Sequence, residues 1–386
     1  MLVCLAALVL GPTAVDSAPR LRTILPNGVA ILVERMPGAP LLSLQLHASS
    51  RYAPETKETH GYRHLLEHLV ARGVDRRLDE RLEAAGAFLT ATTDRDEMRF
   101  ELNLAPSKLD LGLASARELL EPLDVTPAQI ESEAETIDQE LALRDDSGLL
   151  AATAWSVAYG ETGLDALGET STIRTATPDA LVQLQGQQFA APCLAVTIAG
   201  DVDIDRATAA AKRIFGDLPS TRPTWPSVRA EGKAGRGSSA GFGEARGAIV
   251  GSFDEPSTAY VLVAAFALAS EIEGSFVTYT PTSTRGLVVV GRTDQSSGVG
   301  LRADDPARNR TAALFQRGQA LTRAWLRARL KSPSASARLR GSLLAQQHAA
   351  RPEDLLEYVD GMSFDDYLEG LAAFDQDHAA IAVGSK

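Results

Sequence analysis

Hydrophobic and polar residues alternate strictly along Leu42-Ser43-Leu44-Gln45-Leu46-His47, and again along Met98-Arg99-Phe100-Glu101-Leu102-Asn103-Leu104. A period of two places successive side chains on opposite faces of an extended chain, so both segments are predicted to be strands with one buried face. His47 falls on the polar set of its strand and reads as a solvated or sheet-edge histidine. Upstream, Pro26-Asn27-Gly28 interrupts the apolar residues between Thr23 and Val33 and predicts a hairpin.

Between the two strands the period lengthens to that of a helix. On a helical wheel over Tyr62 to Ala71, Tyr62, Leu65, Leu66, Leu69 and Val70 fill one side, while His64, Glu67, His68 and Ala71 cluster on the other. A second helix is predicted around Leu78 to Ala85, and further helical patterns run from Lys108 to Leu120 and from Pro127 to Leu143. Thr126 supplies an N-cap for the last of these, and Pro127 suits its first turn. Ala195 to Ala199 reads as a strand running into Gly200-Asp201, and Ile204 to Phe215 as a helix ending near Gly216.

With 386 residues, 45% hydrophobic and 23% charged, the chain can bury more than one core, and two domains are expected. The elements above predict an N-terminal domain over residues 19–218. A shift to Pro, Ser and Gly predicts a linker over 219–246, which leaves 247–386 for a second domain. Phe189-Ala190-Ala191-Pro192 leading to Ile198-Ala199-Gly200 is echoed by Phe374-Asp375-Gln376-Asp377 leading to Ile381-Ala382-Val383-Gly384, as a duplicated domain would produce. The second copy keeps no histidine motif.

Residues 1–18 combine an apolar run from Met1 to Leu10, a Gly11-Pro12 break and the small pair Ser17-Ala18, a pattern that resembles a secretory signal peptide. Export, to the periplasm of a bacterial cell, is the expectation. Neither this run nor any later one is long enough to span a bilayer. The net charge of −12, with no Lys/Arg block, argues against nucleic-acid binding. Only Cys4 and Cys193 are present, and Cys4 lies in the export segment, so no internal disulfide is expected. Cys193 reads as a buried small hydrophobe.

The chemistry concentrates in His64-Leu65-Leu66-Glu67-His68, an H-x-x-E-H pentapeptide inside the predicted helix. Two imidazoles four residues apart project from one helical face, and the carboxylate just before the second can reach water at a metal held between them. A catalytic zinc also wants a third protein ligand. In the helix opened by Thr126, Glu133 and Glu140 lie seven residues apart on the edge of the stripe formed by Ile130, Ala134, Ile137 and Leu141, so either could reach a buried metal. His60, one turn upstream of the motif, reads as a helix-start residue rather than a ligand.

Gly61 to Gly73, together with the Glu133 to Glu140 segment followed by Arg144-Asp145-Asp146, resembles the motif helix and paired-glutamate segment of the insulinase/pitrilysin family of zinc peptidases. The shorter bacterial members, similar to the mitochondrial processing peptidase, are the nearest in pattern, and the resemblance runs nearly end to end over the N-terminal domain. It implies an α+β fold of two similar domains, each a mixed or antiparallel sheet covered by helices, forming half of a clamshell. It also implies Zn2+ as cofactor, His64, His68 and Glu140 as ligands, Glu67 as general base in hydrolysis of peptides or unfolded polypeptides, and Glu133 as a supporting carboxylate behind the ligands.

In that family the C-terminal domain commonly supplies an Arg and a Tyr that hold substrate. Here Ser270 and Val277 occupy those places, and Tyr279 and Arg285 are out of spacing, so the substrate-binding residues stay unassigned. Some bacterial members assemble from two chains, one with the metal motif and one with the substrate-binding pair. The resemblance thus implies that this chain is the metal-bearing half of a hetero- or homodimer. A non-catalytic subunit that keeps zinc, and a scaffold that captures peptides without cutting them, are the alternative readings.

Overall fold

A computed structural model describes residues 18–50, 55–220, 231–282, 286–293, 309–346 and 351–384. The expected export segment, apart from Ala18, lies outside the described residues, as do Cys4 and Arg285. The first half runs β1 (Arg20–Ile24), β2 (Ala30–Arg35), β3 (Leu42–Ser49), α1 (Tyr62–Ala71), α2 (Leu78–Ala84), β4 (Phe88–Thr93), β5 (Glu97–Leu104), α3 (Leu109–Glu118), α4 (Pro127–Ala142), α5 (Asp146–Tyr159), α6 (Thr170–Ile173), α7 (Pro178–Gln188), β6 (Leu194–Gly200) and α8 (Ile204–Phe215). The second continues with β7 (Gly235–Ser239), β8 (Glu244–Val250), α9 (Pro256–Ala269), β9 (Ser275–Thr278), β10 (Gly286–Arg292), α10 (Ala312–Leu330), α11 (Pro333–Ala345), α12 (Pro352–Gly361), α13 (Phe364–Ala372) and β11 (Ala380–Gly384). The predicted hairpin, strands and helices of the first half are all present.

Two mixed sheets form, in the orders β1-β2-β6-β3-β5-β4 and β7-β11-β8-β10-β9. Each contains one parallel pair, β2 with β6 and β11 with β7, made where the last strand of its half inserts between two early ones. Removing β1 makes the two orders identical, and the echoed sequence segments lead into the equivalent strands β6 and β11. The α+β architecture of two similar, helix-covered sheets is therefore observed.

Each half lends a helix to the other. Along β10, Val288 and Val290 face the core built on α9, while Leu287 and Val289 face Leu150, Ala154 and Ala158 of α5, a helix of the first half. In return Leu344 and Ala345 of α11 pack on Ala30, Leu32 and Ala195 of the first sheet. Helices thereby pack on both faces of both sheets.

This exchange corrects two expectations. The polar face of β3 and β5 is not solvated: Ser43, Gln45, His47, Glu97, Arg99 and Glu101 are all buried. Helix α11 covers them with matching polar groups. Gln45 Nε2 donates to the Ser334 carbonyl at 2.9 Å, Arg338 pairs with Glu101 at 3.0 Å, and the Ser342 hydroxyl donates to Glu97. His47, expected in solvent or at an edge, is fully buried on a central strand, with Nδ1 3.3 Å from Glu97 Oε2 and Nε2 3.3 Å from Thr197 Oγ1. A polar layer can be buried without a large penalty when its groups find partners.

The second correction concerns the stretch 219–246, of which residues 235–239 are strand β7 and residues 244–246 open β8. Its glycines serve close packing as well as flexibility. A Cβ at Gly237 would lie 2.7 Å from Val157 of α5, and one at Gly241 would lie 2.7 Å from the Asp146 carbonyl oxygen. Among the described residues no helix is long and apolar enough to cross a membrane. Cys193 is buried, as expected.

Gly341 of α11 rests on the His47 ring, where an added Cβ would come within 2.0 Å of Nε2. In an exposed helix Gly→Ala stabilises by about 1 kcal/mol. Here Gly341→Ala is expected to destabilise by about 1–3 kcal/mol through overpacking. Denaturant unfolding checks the sign, and a stabilised variant would contradict the contact between the halves.

Candidate metal centre

Helix α1 is anchored on its apolar side, where Leu65, Leu66, Leu69 and Val70 enter the first-half core beside α4 and the sheet. Its start is held electrostatically, because the Glu55 carboxylate accepts from the Gly61 and Arg63 amides at 3.0 and 2.9 Å, where an anion suits the first turn. Gly61 takes φ +96°, and a Cβ there would meet Ile173 at 2.6 Å, so glycine alone lets the 165–173 segment close on the helix. Helix α4 begins with the predicted cap, Thr126 and Gln129 forming a reciprocal capping box with Pro127 at the first turn. Ile130, Ala134 and Ile137 bury its apolar stripe.

These two anchored helices bring His64, His68 and Glu140 together. The two Nε2 atoms are 3.3 Å apart, and Glu140 Oε2 lies 3.4 Å from each. Four ligands at zinc bond lengths of about 2.0–2.1 Å in a tetrahedron stand about 3.3–3.4 Å from one another. The three donor atoms therefore already have the spacing of one tetrahedral face.

The outer nitrogens are engaged from behind. His64 Nδ1 lies 3.0 Å from the Leu167 carbonyl oxygen, which accepts only from a protonated nitrogen and so leaves Nε2 with its lone pair. His68 Nδ1 is 3.4 Å from Glu133 Oε2, an ion-pair contact whose carboxylate oxygen makes no well-aligned hydrogen bond. Two lone pairs and a carboxylate pointed at a common centre suit a divalent cation better than any arrangement of protons. Burial, then the charge of His68, holds the His64 pKa below its usual value. At His68 burial works the same way but is outweighed by Glu133, Glu140 and Glu67, and the pKa rises.

Glu67 is buried beside this face, and its Oε2 accepts a 2.6 Å hydrogen bond from Thr93 Oγ1 at the end of the edge strand β4. Burial raises its pKa to about 7, against the opposing pull of Thr93 and His68. A carboxylate so poised can take up and release a proton near neutrality. Glu133, 4% exposed, pairs with Arg72 at 3.2 Å and Arg76 at 3.1 Å. The wheel left Glu133 and Glu140 as equals; the structure puts Glu140 at the donor triangle and Glu133 behind His68. His60 stays out of the cluster, with Nε2 2.7 Å from the Asp165 carbonyl.

Sequence reasoning missed Thr93, the Leu167 carbonyl and both arginines. Thr93 closes a threonine-rich stretch, Thr90-Ala91-Thr92-Thr93, that a strand reading could have found. A backbone carbonyl leaves no trace in residue identity. Ser270 caps α9 and donates to the Ala267 carbonyl, Val277 of β9 pairs with Val290 of β10, and Tyr279 stacks on Phe253, so none of the three forms part of this donor cluster.

Residues 39–159 match the family model described as insulinase, peptidase family M16. A mitochondrial-processing peptidase subunit beta from Blastocladiella emersonii is 27% identical over 220 residues, 54% of this chain and 47% of that protein. An uncharacterized zinc protease from Rickettsia felis is 25% identical over 204 residues, 50% of this chain and 49% of that protein. The chain spans about half the length of the curated relatives it matches. In fold it is similar to a protease from Helicobacter pylori, with a TM-score of 0.78 at 16% identity over 96% of this chain and 100% of that one.

In the metal-free protein the Glu67 carboxyl is expected to titrate at about 7, visible by infrared difference spectroscopy. Thr93→Val should move that midpoint upward, because the hydroxyl hydrogen bond favours the ionised form. A wild-type midpoint in the ordinary carboxylate range, or a downward shift in the variant, would contradict the geometry.

Proposed function

We propose that the chain is a zinc-dependent endopeptidase of the insulinase family, whose model matches residues 39–159, and that it acts on peptides or unfolded polypeptides. The observation that carries this reading is the triangle of His64 Nε2, His68 Nε2 and Glu140 Oε2, whose edges of 3.3–3.4 Å match one face of a zinc tetrahedron. The relatives named as zinc proteases support the same metal. Zinc, when bound there, supplies Lewis-acid polarisation of a carbonyl and acidification of water.

The chain's own groups then have separable tasks. Glu67, buried beside the donor triangle, takes the proton from the attacking water and returns it to the leaving amine. Thr93 keeps the receiving carboxylate oriented. The Leu167 carbonyl holds the His64 imidazole in the tautomer that presents Nε2, and the Glu133 carboxylate attracts the outer nitrogen of His68. The edge strand β4 ends at Thr93, and an extended peptide paired along its free side would bring its backbone beside Glu67.

We further propose that the chain is the metal-bearing half of a two-chain assembly whose partner supplies the substrate-binding Arg and Tyr, since Ser270 and Val277 stand where those residues are expected. The relatives named as a processing-peptidase beta subunit support a partnered enzyme. Export to the periplasm is proposed from residues 1–18. A scaffold that only retained metal would have no use for a carboxylate buried beside the donor triangle at Glu67.

Glu67→Gln should keep one zinc per chain and lose about 10²–10⁴-fold in hydrolysis of an unstructured peptide. His64→Ala should abolish stoichiometric zinc, and chelation should abolish cleavage by the wild type. Assays are run with and without a candidate partner chain. Full activity of metal-loaded Glu67→Gln would overturn the mechanism, and unchanged zinc content in His64→Ala would overturn the ligand set.

A further inference from the structure

The turn after α1 holds the one non-glycine residue with positive φ among the described residues, Arg76 at +59°. This left-handed region is open to glycine and tolerated by asparagine and aspartate, whereas a longer side chain there carries strain. Gly73, three residues earlier, occupies the same region at +72° with the residue type the backbone prefers. An arginine in such a position needs a compensating use for its side chain.

That use is visible at Glu133. Arg76 Nη2 lies 3.1 Å from Glu133 Oε1, next to Arg72 Nε at 3.2 Å. Arg72 continues the helix at φ −68° and is shared with Asp79, 3.8 Å away, so its contact costs no strain and is divided between two carboxylates. Both guanidinium contacts fall on Oε1, which leaves Oε2 facing His68 Nδ1 at 3.4 Å. A buried carboxylate held through one oxygen from two directions keeps its other oxygen toward His68.

We propose that Arg76 is a positioning residue for the metal centre: its strained turn holds a guanidinium on Glu133 Oε1 so that Oε2 stays in ion-pair contact with His68 Nδ1 and favours the ring orientation with Nε2 toward the metal. The inference rests on the zinc reading of His64, His68 and Glu140, and extends the site to a residue outside both helices that form it. It differs from simple neutralisation of a buried charge in acting on the metal through Glu133.

The test is a double-mutant cycle read as zinc affinity by chelator competition, with melting temperatures of the metal-free proteins alongside. Arg76→Gly is expected to weaken zinc binding about 10-fold or more, the usual effect of removing support behind a ligand. Its metal-free melting temperature should change little, because relief of the turn offsets the lost ion pair and Arg72 keeps Glu133 paired. Glu133→Gln should weaken zinc binding too, and adding Arg76→Gly to it should change the affinity less than about twofold, since the two act as one unit. Wild-type affinity in Arg76→Gly, a full loss persisting in the Glu133→Gln background, or a loss accompanied by a lower melting temperature would overturn the proposal. Absence of stoichiometric zinc in the wild type would instead defeat the zinc reading itself, and this inference with it.

Discussion

Two imidazole lone pairs and a carboxylate oxygen held 3.3–3.4 Å apart repel one another unless a cation lies between them, and the first half of the molecule is built to keep them there. Helix α1 cannot turn, because its opposite face is seated in the core by Leu65, Leu66 and Leu69. Helix α4 is held in register by its own apolar stripe and a capping box at its start. Neither histidine ring can rotate freely, since a carbonyl and a carboxylate engage the outer nitrogens. Pre-arrangement of this kind places the reorganisation cost in folding rather than in metal binding.

The exchange of α5 and α11 ties this centre to the rest of the chain. Helix α5 follows directly on the α4 segment that carries Glu140, yet it packs on the second sheet. Its Trp155 lies 4.1 Å under the guanidinium of Arg95, which itself donates to the Leu164 carbonyl in the segment that reaches His64. One helix and one loop thus connect the second sheet to the segment that reaches His64. The polar layer under α11 makes that relation specific, because His47, Glu97 and Glu101 each need a particular partner once they are removed from water.

Much of this was readable from residues, and what was not has definable causes. Periodicity located α1 and α4 closely because each must bury one stripe, and the H-x-x-E-H spacing put both histidines on one face. Periodicity could not separate Glu133 from Glu140, which share an edge of α4; only the position of α1 does so. Alternation in β3 was correctly read as a strand and wrongly as half-exposed, because the helix covering its polar face comes from nearly 300 residues away in the chain. The glycines of 235–241 carry the compositional mark of a linker, and the side chains they make room for belong to α5. Arg76 and the Leu167 carbonyl act through backbone conformation, which residue identity does not encode.

The most direct test of the account is a crystal structure of the protein grown with zinc, with anomalous scattering recorded at the zinc edge. One ion is predicted at the centre of the triangle, bonded to Nε2 of His64, Nε2 of His68 and a carboxylate oxygen of Glu140, with Glu67 outside the ligand set. An ion bound through the Nδ1 atoms or elsewhere on the chain, or no ion at saturating zinc, would contradict it.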